Sequence, residues 1–426
     1  MKTYLIDSGR KTSWLALFFI SIIYFFANLQ KVIIPGATFD ELQQLFSLDA
    51  SAVTRMGAVF LGVYAAAQLF VGVLADRFGG ARVIFAGGFL FCLGSLMSAL
   101  EFSVMLLYFS RFLTGMGAAA IYLSMVKEIS RIAPSILPML IGVATIIGYS
   151  GSIVGASPFI AGVDKFGYQP MVMLAGISAA LFYTGYVFTA LKTPLPPVKK
   201  EVRFSIASFL QVFKSPQNRS LIIAIGISFG TYFAMQSTLT KKFLEDFCKM
   251  SNNASGAVAT VTMIIAAFNG FIMANISQLL KKRRRIIMIF SGVGCFTGAV
   301  AILLGVLLGR GAFLPVTGII VMALAGNVSP IFVALLKESN PENCFGTVIC
   351  AGNFFAYAVS AAFSGCAGKL MDVYQPQIVD GVKVYGQQSY LLVFSAFALV
   401  GLISALLALK VKESYGKDIS SLFYRN

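Results

Sequence analysis

The chain has 426 residues, 58% of them hydrophobic and 12% charged, with a mean hydropathy of +0.83, a balance that excludes a soluble globular protein. A net charge of +16 would suggest nucleic acid as partner in a soluble chain; here the position of the charge has to decide. There is no histidine, and six scattered cysteines (Cys92, Cys248, Cys295, Cys344, Cys350, Cys366) form no CxxC or metal-ligand spacing, which argues against disulfides, a metal, a cofactor or an embedded enzyme site.

A helix crossing a ~30 Å hydrocarbon core needs about 20 largely apolar residues, and about twelve stretches qualify. The first, Ser13 to Ile34, is too long and aromatic for a signal peptide and lacks a small-residue cleavage site before Lys31. On it Tyr24, Asn28 and Lys31 fall at i, i+4 and i+7, one face of a helix. The second span, Val53 to Leu74, carries Tyr64 and Gln68 and ends in a loop reading GVLADRFGGAR, from Gly72 to Arg82. There Gly72 permits close helix approach, Asp76 can cap or pair at a helix end, and Arg77 and Arg82 anchor at the interface.

After a third span, Val83 to Leu100, the fourth runs from Val104 to Val126 and places Arg111 at membrane depth, where an ionisable group is expensive and faces a cavity or a partner. It closes on Lys127 and Glu128. The fifth, Met139 to Ile160, holds a small-residue stripe of Gly142, Gly148, Gly151 and Gly155 before Pro158, and the sixth runs from Met171 to Leu191. A polar linker, 192–219, follows, with Pro194, Pro196, Pro197, a basic run and an amphipathic segment from Phe204 to Phe213 suited to the membrane surface.

The seventh span, Leu221 to Thr240, repeats the polar stripe of the first with Ser228, Tyr232, Gln236 and Thr240. Spans eight to twelve are Val258 to Leu280, Ile286 to Leu308, Ala312 to Leu336, Thr347 to Gly368 and Tyr390 to Leu409. Asn327 and Ser329 in the tenth, and Asn353 and Tyr357 in the eleventh, add hydrogen-bonding groups, and Lys337 and Glu338 close the tenth as Lys127 and Glu128 close the fourth. The matched ends divide the chain into a six-helix bundle at 1–191, the linker, and a second bundle with its tail at 220–426. Such a paired repeat places a substrate site near the midplane.

With the amino terminus inside, about 23 of the 33 basic residues fall in segments on one side, as the positive-inside rule requires. The charge is thereby assigned to the interface and its anionic lipids rather than to nucleic acid, and both termini to the cytoplasm, in a bacterial inner membrane by default.

At Gly72, Asp76, Arg77, Gly79 and Arg82 the chain resembles the major facilitator superfamily, whose signature places a glycine, an Asp-Arg pair, a second glycine and basic residues at this loop. The resemblance implies an all-α membrane fold of twelve helices in two pseudo-symmetric bundles, gating by Asp76, Arg77, Arg82, Lys127, Glu128, Lys337 and Glu338, and a coupling or packing role for Arg111 with Gly115 and Gly117. The stretch FANLQKVIIPG, Phe26 to Gly36, is similar to the first helix of sugar-phosphate and organic-anion permeases in its Asn28-Leu29 pair; the arginine expected before that pair is replaced by Phe26 and Ala27.

All 17 acids fall in loops or at span ends, so a cavity holding Lys31 and Arg111 has positive potential. The expected function is secondary transport of a small organic anion or zwitterion by a monomer in the bilayer, with Tyr24, Asn28, Lys31, Arg111, Tyr232, Gln236, Asn327, Asn353 and Tyr357 as candidate substrate contacts. Whether a proton or another ion is coupled stays open. The alternatives are an exporter of amphipathic or metal-chelating compounds and a transporter-like solute sensor.

Overall fold

The computed structural model describes residues 2–100, 103–192, 198, 206–309, 311–341, 344–379 and 381–423. The linker prolines and Lys199, Lys200, Arg203 and Arg425 lie outside them. In chain order the helices are α1 (Lys2–Val32), α2 (Phe39–Phe46), α3 (Ala50–Phe78), α4 (Gly80–Met97), α5 (Val104–Ile132), α6 (Leu137–Val154), α7 (Ser157–Phe166), α8 (Tyr168–Leu191), α9 (Ile206–Val212), α10 (Pro216–Ala234) and α11 (Thr240–Asp246). There follow α12 (Asn252–Leu279), α13 (Arg284–Leu308), α14 (Phe313–Gly326), α15 (Ser329–Ser339), α16 (Phe345–Met371), the antiparallel pair β1 (Gln377–Val379) and β2 (Val382–Val384), and α17 (Gln387–Leu409).

Among the described residues eleven helical segments are long and apolar enough to cross a membrane, or twelve when Met139–Val154 and Ser157–Phe166, bent by 41°, count as one. Several spans run further than hydropathy suggested, among them the second to Phe78 and the fourth to Ile132. The first extends to Ala37 and the seventh to Asp246, so the seventh carries the charged turn Lys241, Lys242, Glu245 and Asp246 at its end.

Three helix breaks have one cause. A proline lacks the N–H that would bond to the carbonyl four residues earlier, and its ring crowds that carbonyl. Pro158 thus releases Val154, where α6 ends, and Pro330 releases Gly326, where α14 ends. Pro35 releases Lys31, and α1 gives way at Val32 to an irregular turn, Ile33–Ala37, in which Ile34 leaves helical geometry (φ −122, ψ 113).

By internal contacts the chain forms two compact units, Met1–Ile33 with Val59–Phe204, and Ile34–Ala58 with Ser205–Asn426. In the first, α4 packs on α5 and α1 packs on α6 and α8. In the second, α13 packs on α14 and α17, and α10 on α16. The same helix pair, third span against fourth and ninth against tenth, packs through facing glycines in both units. A Cβ on Gly117 would strike the Gly87 carbonyl, and one on Gly318 would lie 2.5 Å from the Gly298 carbonyl, so only glycine fits there. Gly72 is different: a Cβ there would meet nothing within 4 Å, and the close approach expected at that residue is made by Gly87 and Gly117 instead. In the fifth span Gly142 is likewise open, while Gly148 and Gly151 lie directly on α1.

The second unit contains α2 and the first two turns of α3 because of their polar contacts. Asp372, just past α16, accepts from the N–H groups of Ala50 (3.1 Å) and Ser51 (2.8 Å), capping α3 from a distant part of the chain. Tyr385 donates its hydroxyl to the same carboxylate at 2.8 Å. Burial first, and then Asp372, push that phenol well above its ordinary pKa, which keeps it a donor.

Asp40, in the first turn of α2, receives Lys242 Nζ at 2.7 Å. The same ammonium reaches Asp246 at 3.0 Å and the Lys383 carbonyl at 2.7 Å, three acceptors for three hydrogens on a fully buried side chain. Lys241 pairs with Glu245 at 3.3 Å, and Ser255 donates to Glu245 at 2.6 Å. Between α10 and this cluster lies a π-turn, Met235–Leu239, in which Thr240 N–H bonds to the Met235 carbonyl five residues back.

Candidate binding site and charged loops

Arg111 sits on α5 with 0% exposure and meets the broken end of α1. Its guanidinium donates to the Gln30 carbonyl at 3.1 Å and to Gln30 Oε1 at 3.4 Å. In a regular helix the Gln30 carbonyl would bond to the N–H of Ile34, which has left helical geometry. The cation therefore caps a freed carbonyl at a negative helix end. Arg111 also lies 4.4 Å from the centroid of the Phe60 ring, and that ring stacks on Tyr64 at 6.2 Å.

Lys31, adjacent to Gln30 and 5% exposed, places its ammonium 4.3 Å from the Tyr64 centroid. The two buried cations thus rest on neighbouring rings of α3, each a favourable cation–π contact. Arg111 Nε and Gln30 Nε2 are buried donors with no hydrogen-bond partner among the described residues. In this unit Asp76 lies in the last turn of α3, Glu128 near the end of α5 and Asp164 on α7.

The rest of the predicted stripe on α1 splits away. Tyr24 is half-buried and tilted on Tyr122 at 5.2 Å, and Asn28 donates to the Tyr24 carbonyl at 2.9 Å. Both pack over Gly148 of α6, whereas Lys31 leans to α3.

In the second unit Tyr232 lies against Gly326, and Ala266 packs with both Tyr232 and Asn327. Asn327 lies at the helix break: its amide donates to the Ala266 carbonyl of α12 at 2.9 Å, while Asn269 donates to the carbonyls of Leu324 (2.8 Å) and Asn327 (2.9 Å). Tyr357 stands edge-on to Phe229 at 5.3 Å and Phe233 at 5.9 Å. Gln236 is buried in the π-turn, and Asn353 is half-buried on α16.

The charged loops pair differently from their sequence neighbours. Lys127 makes its ion pair with Asp76, and Glu128 accepts from the Ala81 N–H at 3.0 Å and from two nitrogens of Arg131 at 2.9 and 2.6 Å. Arg82 donates to the Phe78 carbonyl at 2.7 Å, and Arg77 lies over the Phe78 ring. In the second unit Glu338 pairs with Arg284 at 2.6 Å, leaving Lys337 exposed. Neither Lys-Glu doublet closes on itself, because adjacent helical residues point about 100° apart.

Sequence reading missed Gln30 and the set formed by half-buried Asp40 with buried Lys242 and Asp246. Gln30 was visible as an amide beside Lys31 in an apolar run. The Lys241–Glu245 and Lys242–Asp246 spacings of four were visible too, but Asp40 is some two hundred residues away in sequence.

The family model described as Major Facilitator Superfamily matches residues 14–365. Human monocarboxylate transporter 2 is 34% identical over 102 residues, covering 24% of this chain and 21% of that protein. The 4-hydroxybenzoate transporter PcaK of Pseudomonas aeruginosa is 33% identical over 138 residues, 32% of this chain and 31% of the relative. The riboflavin transporter RibZ of Clostridioides difficile is 25% identical over 197 residues, 45% and 41% respectively. Each match spans less than half the length of the curated relative. Among solved structures, a POT family transporter in complex with 5-aminolevulinic acid superposes with a TM-score of 0.74 at 13% identity, covering 95% of this chain and 97% of the other. The peptide transporter POT in complex with sulfate gives 0.72 at 14% identity, covering 96% of both.

Proposed function

Since the chain belongs to the Major Facilitator Superfamily, and is accordingly a multi-pass membrane transporter of small solutes and not an enzyme, we propose that its cargo is an organic anion or zwitterion moved by alternating access. One observation carries this reading. Arg111 Nε and Gln30 Nε2 are buried donors left unspent beside a second buried cation, Lys31. Each unmatched buried donor costs about 1–3 kcal/mol, and a carboxylate, with about four acceptor positions, relieves it. Two of the similar proteins carry carboxylates in their names, which supports acids of that class as first candidates.

The membrane is read as a bacterial inner membrane with both termini cytoplasmic, and the working unit as a monomer. A proton or another ion is the proposed coupling species, with uniport as the alternative. Asp76, Arg77, Arg82, Lys127, Glu128, Lys337 and Glu338 are proposed to act in gating, and Tyr24, Asn28, Tyr232, Gln236, Asn327, Asn353 and Tyr357 remain proposed substrate contacts.

The test is uptake by proteoliposomes of short aliphatic and hydroxyaromatic carboxylates. Lys31→Ala is expected to lower uptake of the transported acid at least about tenfold, the equivalent of one charge-assisted hydrogen bond. Lys31→Arg should keep part of it. Unchanged uptake of every acid by Lys31→Ala would sink the anion reading. Faster uptake of neutral or cationic amphiphiles would favour the exporter alternative, for which the Phe229, Phe233 and Tyr357 cluster supplies an apolar face.

A further inference from the structure

We propose that the loop between α12 and α13, together with the segment after α17, forms a docking surface for anionic phospholipid headgroups. The first observation is a backbone one. Helix α12 ends with Lys282 N–H on the Ser277 carbonyl (2.7 Å) and Lys281 N–H on the Gln278 carbonyl (3.0 Å), a closing turn in which glycine is the usual residue. Here two lysines in succession occupy the left-handed region, at φ 54 and φ 60. Such a conformation is unfavourable for a residue with a side chain and persists where the surroundings use it.

The second observation is that the neighbouring acids are consumed internally. Glu413 accepts from the N–H groups of Arg284 (2.8 Å) and Arg285 (3.0 Å), capping α13. Glu338 takes Arg284, the Ser414 hydroxyl at 2.6 Å and, through its carbonyl, Ile419 N–H at 2.7 Å. Gln217 and Lys412 exchange two hydrogen bonds, at 3.1 and 2.9 Å, and Arg285 donates to the Leu409 carbonyl at 2.8 Å. These bonds fix the segment after α17 beside the loop, and Lys282 lies across Gly416. The cations left exposed are Lys281, Lys282, Arg283, Lys410, Lys412 and Lys417. Among the described residues the exposed acid beside them, Asp418, accepts from Ser420 N–H at 2.8 Å.

Position selects the ligand. Three apolar spans, Asn252–Leu279, Arg284–Leu308 and Gln387–Leu409, begin or end within a turn of these cations. Leu279, Ile286 and Leu409 at those ends are exposed. A phosphodiester carrying acyl chains matches both the charges and the apolar flank, whereas free phosphate matches only the charges.

The experiment uses the full chain in nanodiscs of phosphatidylcholine with increasing phosphatidylglycerol, reading the thermal midpoint and the lipids retained in native mass spectrometry. Phosphatidylglycerol is expected to raise the midpoint, and high salt to abolish the rise. The variant Lys281→Gly/Lys282→Gly/Arg283→Gln should fold at least as well in pure phosphatidylcholine, because two left-handed lysines are relieved, yet bind phosphatidylglycerol roughly a hundredfold more weakly. The control Lys165→Gln/Lys192→Gln/Lys249→Gln, at exposed cations elsewhere, should bind it normally. Undiminished retention by the loop variant, an equal loss in the control, or the same midpoint rise from inorganic phosphate in phosphatidylcholine would each overturn the proposal.

Discussion

Lys242→Ala is expected to cost about 3–5 kcal/mol, the range for removing one member of a buried charge set. The ammonium is fully buried and satisfies Asp40, Asp246 and a backbone carbonyl together, so its loss strips Asp246 of that cation and leaves Asp40 to the more distant Lys241 at 3.9 Å. The thermal midpoint in detergent should fall by about 10 °C, or folded protein should not be recovered. Lys242→Ala combined with Asp40→Asn and Asp246→Asn should recover part of the loss, since the uncompensated charge goes with them. A midpoint equal to that of the parent would show that water reaches the cluster.

Acid should act on the same contact. Burial alone would raise the Asp40 carboxyl, but Lys242 and Lys241 outweigh it, and its pKa is held below the usual value. A depressed carboxylate stabilises the fold above its unfolded pKa of about 4 and loses that contribution as pH falls through the lower folded value. The midpoint should therefore begin to drop below about pH 4, and less steeply in Asp40→Asn.

Arg111→Ala is expected to lose both stability, by about 3 kcal/mol, and transport, by about a hundredfold. The guanidinium closes the broken end of α1 through Gln30 and lies on Phe60, so without it the turn that carries Lys31 has no cap. Arg111→Lys keeps the charge but not the planar fork, and should restore more of the stability than of the transport. Measured side by side, midpoint and uptake separate two roles. A variant that folds normally and only raises KM would make Arg111 a substrate contact alone.

Hydropathy displayed the spans well because a bilayer demands length and apolarity, and both are local properties. The breaks were also written locally: Pro35, Pro158 and Pro330 each sit four residues beyond the carbonyl they release. What could not be read were partners from distant parts of the chain. Asp372 looks like a loop acid in sequence and caps α3; Asn269, in the middle of α12, donates to two carbonyls at the break between α14 and α15. The i, i+4, i+7 spacing puts Tyr24, Asn28 and Lys31 on one helix face, but such a face is wide enough to meet two neighbours: Tyr24 and Asn28 pack on α6, and Lys31 lies over a ring of α3. The seventh span was cut at Thr240 because a lysine doublet ends any hydropathy window, although in the fold that doublet is buried.

The π-turn at Met235–Leu239 makes residue count a constraint of its own. A wider turn holds about one residue more than a regular one, and every side chain beyond it is rotated by about 100° relative to an unbroken helix. Deleting any single residue of the turn would straighten the backbone yet swing Lys242 and Asp246 off Asp40 and off the carbonyl of Lys383, even though no charged group had been altered. Substitutions in this stretch need only suit a buried helix, whereas its phase must be kept to the residue.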